Sequence, residues 1–196
     1  MKYIPLIFAY ILGSIPFGLL IARSKGVDLR KEGSGNIGAT NAARILGKKS
    51  GLLVLLLDMA KGLVPVLLVR LFWKGPLPSD HLAAITGIFA VIGHCFPIFL
   101  GFKGGKGVAT AAGVFLALYP TSIAIAAAGF AATVWAFRYV SLGSLVASLL
   151  VPISMIFLRP DEQPYIFSAW VIASVIWWQH RDNLRRLVRG QESRFK

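Results

Sequence analysis

The sequence is poor in the residues that metal and redox chemistry require. It holds one cysteine, Cys95, so no disulfide can close within the chain and no thiolate metal site is suggested. Cys95 lies in an apolar run and reads as a small buried hydrophobe. Eight acids and three histidines form no H-x-x-x-H or H-E-x-x-H pair, so neither a metal nor a cofactor is expected. Charged residues make up 15%, well under the usual quarter of a globular chain. No segment alternates apolar and polar residues between turns as a strand would.

What is abundant is apolar sequence: 56% of 196 residues, with a mean hydropathy of +0.70. Runs at Tyr3–Ala22, Gly51–Trp73, His81–Leu100, Ser141–Leu158 and Tyr165–Trp178 approach the roughly 20 residues that a membrane helix needs. The first has no small-x-small cleavage site ahead of Arg23 and reads as a retained span. Val108–Phe137 is too long for one span and short for two, with Pro120 inside it. Charge decides the count. With seven spans, the Lys and Arg of residues 23–49, Lys103, Lys106, Arg138 and the cations of residues 181–196 share one side, 16 in all. The other side keeps Lys2, Arg70, Lys74 and Arg159, which is 4. The positive-inside rule then predicts an all-α integral membrane protein of seven transmembrane helices, N-terminus outside and C-terminus cytoplasmic. Residues 1–196 form one domain in this reading. The net charge of +13 is accounted for by topology and anionic lipid, so nucleic acid is not an expected partner.

GSGNIG, Gly33 to Gly38, fits G-x-G-x-x-G, with Asp58 20 residues further on. That fingerprint needs a strand before it and an acid at the end of a second strand. Here a charged loop, RSKGVDLRKE, precedes it, and Asp58 lies within a span, about 10 Å from Gly51 by helix rise. A dinucleotide site is excluded.

Three polar stretches remain, and the topology places all of them on the cytoplasmic side. In Gly33–Arg44, Gly33 and Gly35 let backbone N–H groups turn inward as an anion nest. Ser34, Asn36, Thr40 and Asn41 add donors, Arg44 adds a fork, and a helix starting near Asn36 would aim its positive end there. The bland alternative is a flexible turn-rich loop. Gly93–Thr110 resembles a P-loop without matching one: Gly101 to Lys106 is one residue short, and Val108 stands where Ser or Thr belongs. Lys103, Gly104, Gly105 and Lys106 still make a compact cationic loop suited to a monophosphate or acyl phosphate, or else two lysines snorkelling to headgroups. His94 reads equally as a packing or a catalytic histidine. In His180–Lys196, His180 and Asn183 share a helix face. His180 suits a general base and Asn183 can orient a hydroxyl. Arg185, Arg186 and Arg189 are expected on lipid phosphate, and Glu192 on a neighbour of the basic tail. Asp58 and Lys61, three apart within a span, are expected to pair as structural support. Ser141 either binds substrate or caps a helix.

Together the three stretches are similar to motifs of the bacterial acyl-phosphate:glycerol-3-phosphate acyltransferase family. Those motifs read GSGN-x-G-x-TN-x-x-R, GH-x-FP-x-FL-x-FKGGKGVAT and H-x-x-N-x-x-R-L-x-x-G-x-E, and Gly33–Arg44, Gly93–Thr110 and His180–Glu192 fit them in order. The resemblance covers nearly the whole chain. It implies transfer of an acyl group from acyl phosphate to the 1-hydroxyl of glycerol 3-phosphate, giving 1-acylglycerol 3-phosphate and phosphate, at the cytoplasmic face of a bacterial cytoplasmic membrane. The family needs no metal, acyl-CoA or acyl carrier protein. None of the histidines has Asp four or five residues on, so the dyad of many soluble and peripheral glycerolipid acyltransferases is missing. On this resemblance Ser34, Arg44 and Lys103 are favoured as phosphate ligands, with Gly104 and Gly105 shaping the second loop. His180 and Asn183 would orient or deprotonate the attacking hydroxyl. A transporter or binding protein for an organic phosphate is the rival reading; it would show broken helices meeting at the midplane, often in repeated halves, and no internal repeat is evident.

Overall fold

The computed structural model describes residues 3–194, so Met1, Lys2, Phe195 and Lys196 and the two terminal charges counted above lie outside it. The described residues fold as helices without a strand: α1 (Ile4–Ser14), α2 (Phe17–Arg23), α3 (Ala39–Leu46), α4 (Lys48–Phe72), α5 (Ser79–Cys95), a 3-10 turn (Ile98–Leu100), α6 (Val108–Leu118), α7 (Pro120–Phe137), α8 (Val140–Leu158), α9 (Gln163–Gln179) and α10 (Arg181–Val188). Trp135, Phe157 and Leu71 stand on the outside, as suits lipid contact.

Among the described residues five segments are long and apolar enough to cross a membrane: Ile4–Arg23, Lys48–Phe72, Ser79–Leu100, Pro120–Phe137 and Val140–Leu158. The first is not one helix. Pro16 forces Ile15 out of the helical region, to ψ 118, and separates α1 from α2. The carbonyl of Ile15 accepts a hydrogen bond from Lys61 Nζ at 3.0 Å. Lys61 also pairs with Asp58 at 3.0 Å, and both are 3% exposed. The intramembrane charges therefore pair as expected, and their role is to hold the Pro16 break against α4.

Residues 108–137 form two helices, divided where Pro120 opens α7. Two of the expected spans, α6 and the 17-residue α9, are not among the five, and α6 is the shorter. Its 11 residues rise only about 16 Å, against a hydrocarbon core of about 30 Å. α6 is instead locked onto α4 by two glycines. A Cβ on Gly62 would meet the Thr110 carbonyl, and one on Gly113 the Met59 carbonyl. Only glycine allows backbones to approach this closely across a helix pair. Arg70 of α4 donates to the Ala117 carbonyl at the far end of α6, covering an acceptor that the short helix leaves open.

Candidate active site

The first polar stretch is a loop tied by its own side chains. Asn41 accepts from the Ser34 N–H at 2.9 Å and donates to the carbonyls of Leu29, Glu32 and Asn36 at 3.2, 3.0 and 2.9 Å. Asn36 Oδ1 accepts from the Gly38 N–H at 2.8 Å, and α3 starts at Ala39, three residues later than expected from the sequence. Two of the expected ligands are thus fasteners of the loop. Gly35 turns the chain at φ +70 but is not part of the cavity wall described below. Ser34, Thr40 and Arg44 line that cavity and make no side-chain hydrogen bond among the described residues.

The second loop departs further from expectation. The Gly104 N–H donates to the Cys95 carbonyl and the Gly105 N–H to the His94 carbonyl, both at 3.1 Å. These N–H groups secure the loop to the end of α5, so Gly104 and Gly105 shape the second loop. A Cβ on Gly105 would strike the His94 ring, so the glycine is required by the packing of that histidine. His94 is buried, with Nδ1 3.8 Å from Asp58 Oδ1. Lys103 is exposed and outside the cavity wall, whereas Lys106 forms part of that wall. With the loop tied to α5 at Gly104 and Gly105, the lysine before the tie faces out and the one after it faces in.

In the third stretch the chain kinks at His180, between α9 and α10, and this brings His180 and Asn183 to one chamber as the spacing predicts. His180 is 2% exposed, and its Nδ1–H donates to the Ile176 carbonyl at 2.8 Å, which leaves Nε2 with the lone pair. Burial, then the charge of Lys106, pushes its pKa down to about 4 against the opposing Ile176 carbonyl and Glu192 carboxylate, so the ring is neutral at physiological pH. Asn183 is a bridge: its Oδ1 accepts from Lys106 Nζ at 2.5 Å and its Nδ2 donates to Glu192 Oε1 at 2.6 Å. Glu192 Oε1 also accepts from Ser141 Oγ, and Oε2 from Arg186 Nε, both at 2.7 Å. Ser141 makes no cap hydrogen bond to α8; it belongs to this network. Arg186, expected on lipid, faces the cavity instead, and Glu192 is the carboxylate around which the basic tail closes. Its signal in the sequence was its isolation, a single acid among the cations of residues 185–194.

These groups surround one end of a cavity of about 680 Å³. Arg44, Lys106 and Arg186 line it with two acids, Glu192 and Asp58, and Asp58 is already paired with Lys61, so the chamber favours anions. Burial pushes the Lys106 ammonium down to about 8 although Glu192 opposes the shift. The same cavity continues as an apolar shaft between α4, α6, α7, α8 and α9, walled by residues such as Met59, Phe115, Phe130, Val151 and Ile172. One void therefore joins a cationic head to a hydrocarbon-like interior.

Residues 3–190 match the family model for glycerol-3-phosphate acyltransferase. The chain is 47% identical over 196 residues to a glycerol-3-phosphate acyltransferase of Desulfotalea psychrophila, covering 100% of this chain and 99% of that one. It is 49% identical to one of Geobacter sulfurreducens, covering 96% and 94%. Two crystal structures of PlsY (YgiH), an integral membrane glycerol 3-phosphate acyltransferase, superpose over 100% of this chain. The glycerol 3-phosphate form has a TM-score of 0.92 at 43% identity over 96% of its chain. The lysophosphatidic acid form has a TM-score of 0.90 at 42% identity over 95%.

Proposed function

The chain belongs to the glycerol-3-phosphate acyltransferase family, and from that membership we propose that it transfers the acyl group of an acyl phosphate to the 1-hydroxyl of glycerol 3-phosphate. The products are 1-acylglycerol 3-phosphate and inorganic phosphate. The observation that carries the donor assignment is the cavity itself. Its head offers three cations for the phosphates of two substrates, and the shaft leading from it suits one long chain.

In this reading Ser34, Thr40, Arg44, Lys106 and Arg186 hold phosphate, with Gly35, Asn36 and Asn41 shaping the first loop and Gly104 and Gly105 the second. Lys103 sits outside the chamber. Asn183, Ser141 and Glu192 fix Lys106 and Arg186. The hydroxyl oxygen adds to the acyl carbonyl carbon, the bond from that carbon to the phosphate oxygen breaks, and phosphate departs. An acyl phosphate is already activated, so no acyl-enzyme is needed; positioning and oxyanion donors supply the catalysis. The hydroxyl proton passes to His180 Nε2 or to a phosphate oxygen of the donor. The charge distribution supports a single domain of seven transmembrane helices, the five long segments with α9 and the short α6, which does not fill the hydrocarbon core by itself, N-terminus outside and active site on the cytoplasmic face of the bacterial membrane.

The test offers purified protein glycerol 3-phosphate with acyl phosphate, acyl-CoA or acyl carrier protein in parallel, without added metal. Equal yields of lysophosphatidic acid and phosphate from acyl phosphate alone are expected. Product only from the thioesters would overturn the donor assignment.

A further inference from the structure

We infer that the floor of the apolar shaft gauges the length of the acyl chain, through Phe115, Ile123, Val151 and Ala169. This rests on the proposed function, which puts the reacting carbonyl beside His180 and Ser141 with the chain below. The lining of the shaft stops at a common level on the helices that form it. On α8 it runs from Ser141 to Val151, about 15 Å of helix rise. On α9 it runs from His180 to Ala169, about 16 Å. On α6 it ends at Phe115 and on α7 at Ile123.

Below that level the protein is solid. Leu118, Met155 and Ile166, roughly one turn further along α6, α8 and α9, are buried members of the main core. Ser154 Oγ of α8 donates to Ser122 Oγ of α7 at 3.0 Å, joining these helices beneath the floor. Phe115 and Ala169, each 1% exposed, are the largest and the smallest of the four floor side chains. They are therefore the positions where a substitution changes the depth most.

A straight chain advances about 1.25 Å per carbon, from a carbon–carbon bond of about 1.5 Å at a tetrahedral angle. Roughly a dozen carbons span 15 Å. A longer chain meets the floor and must bend. A larger side chain at Ala169 raises the floor, and a smaller one at Phe115 lowers it.

The experiment gives limiting glycerol 3-phosphate to the full-length enzyme with an equimolar mixture of acyl phosphates from octanoyl to stearoyl, and reads the products by mass spectrometry. For Ala169→Leu, the yield of long-chain over short-chain product should fall about tenfold relative to wild type, the discrimination that added bulk of this order produces in an apolar pocket. Phe115→Ala should shift the distribution towards longer chains. Val151→Phe, a second substitution that raises the floor, should repeat the Ala169→Leu result and covers the case in which Phe115→Ala fails to fold. Unchanged product distributions in active Ala169→Leu and Val151→Phe enzymes would overturn the gauge while leaving the reaction intact. No product from any acyl phosphate with wild-type enzyme would overturn the donor assignment first and the gauge with it.

Discussion

Burial of Lys106 sets its titration near pH 8, inside the range an assay can reach. The ammonium attracts phosphate while protonated and loses that charge as pH rises through about 8. The KM for glycerol 3-phosphate should therefore climb above that pH and stay level just below it. Lys106→Arg keeps a cation throughout and should flatten the climb, at some cost in geometry. His180 carries the opposite signature. With its pKa pushed to about 4, the ring is a free base across the neutral range. A base role predicts a fall in kcat only as pH approaches that value, and a large loss of kcat in His180→Gln. An unchanged maximal rate and pH profile in that variant would assign the proton to the donor phosphate. Glu192→Ala removes the acceptor of Ser141, Asn183 and Arg186 together and should destabilise the fold by about 1–3 kcal/mol, read as a lower Tm. At this scale the sequence revealed residue types better than roles. His180 and Asn183 share a chamber because helical spacing dictates it. That Asn41 fastens a loop, or that Lys106 and not Lys103 turns inward, depends on contacts reaching across as many as 12 and 77 residues of sequence, respectively, that no local pattern encodes.

Among the elements, α6 has the largest influence relative to its length. It starts two residues after Lys106, supplies Phe115 to the floor, and is held by the glycine contacts with α4. Gly113→Ala would force the α6 backbone away from the Met59 carbonyl. Overpacking of this kind costs about 1–3 kcal/mol, and the displaced Lys106 should lower kcat/KM beyond what the loss of stability explains. Thermal unfolding and kinetics on the same preparation separate the two. The break at Pro120 was legible, because proline both ends a helix and opens the next. The shortness of the run before Pro120 was also legible, but its close packing against α4 through Gly62 and Gly113 was not, since an apolar run does not show which neighbour it meets. Whether Pro16 divides the first span could not be read from the sequence for a related reason: the break persists because Lys61, 46 residues away, satisfies the exposed carbonyl.

For the whole molecule, the charge asymmetry makes a direct topological prediction. Cys95 is buried, so single-cysteine variants start from a quiet background. In intact spheroplasts, Asp161→Cys should react with an impermeant maleimide and Lys31→Cys only after lysis; both positions are exposed. The reverse pattern would invert the assigned orientation. The overall class, an all-helical membrane protein, was legible because hydropathy is a property of every residue. The continuous cavity was not, because its wall draws on the first loop and on eight helices, α3 to α10, that only packing assembles. Its polarity has a consequence for the membrane as a whole. The cations are gathered at one end of the shaft, so each new lysolipid is formed with its headgroup facing the same way. On the proposed function and orientation, synthesis is vectorial: the product is delivered to a single leaflet, and growth of the opposite leaflet requires a separate step that turns lipid over.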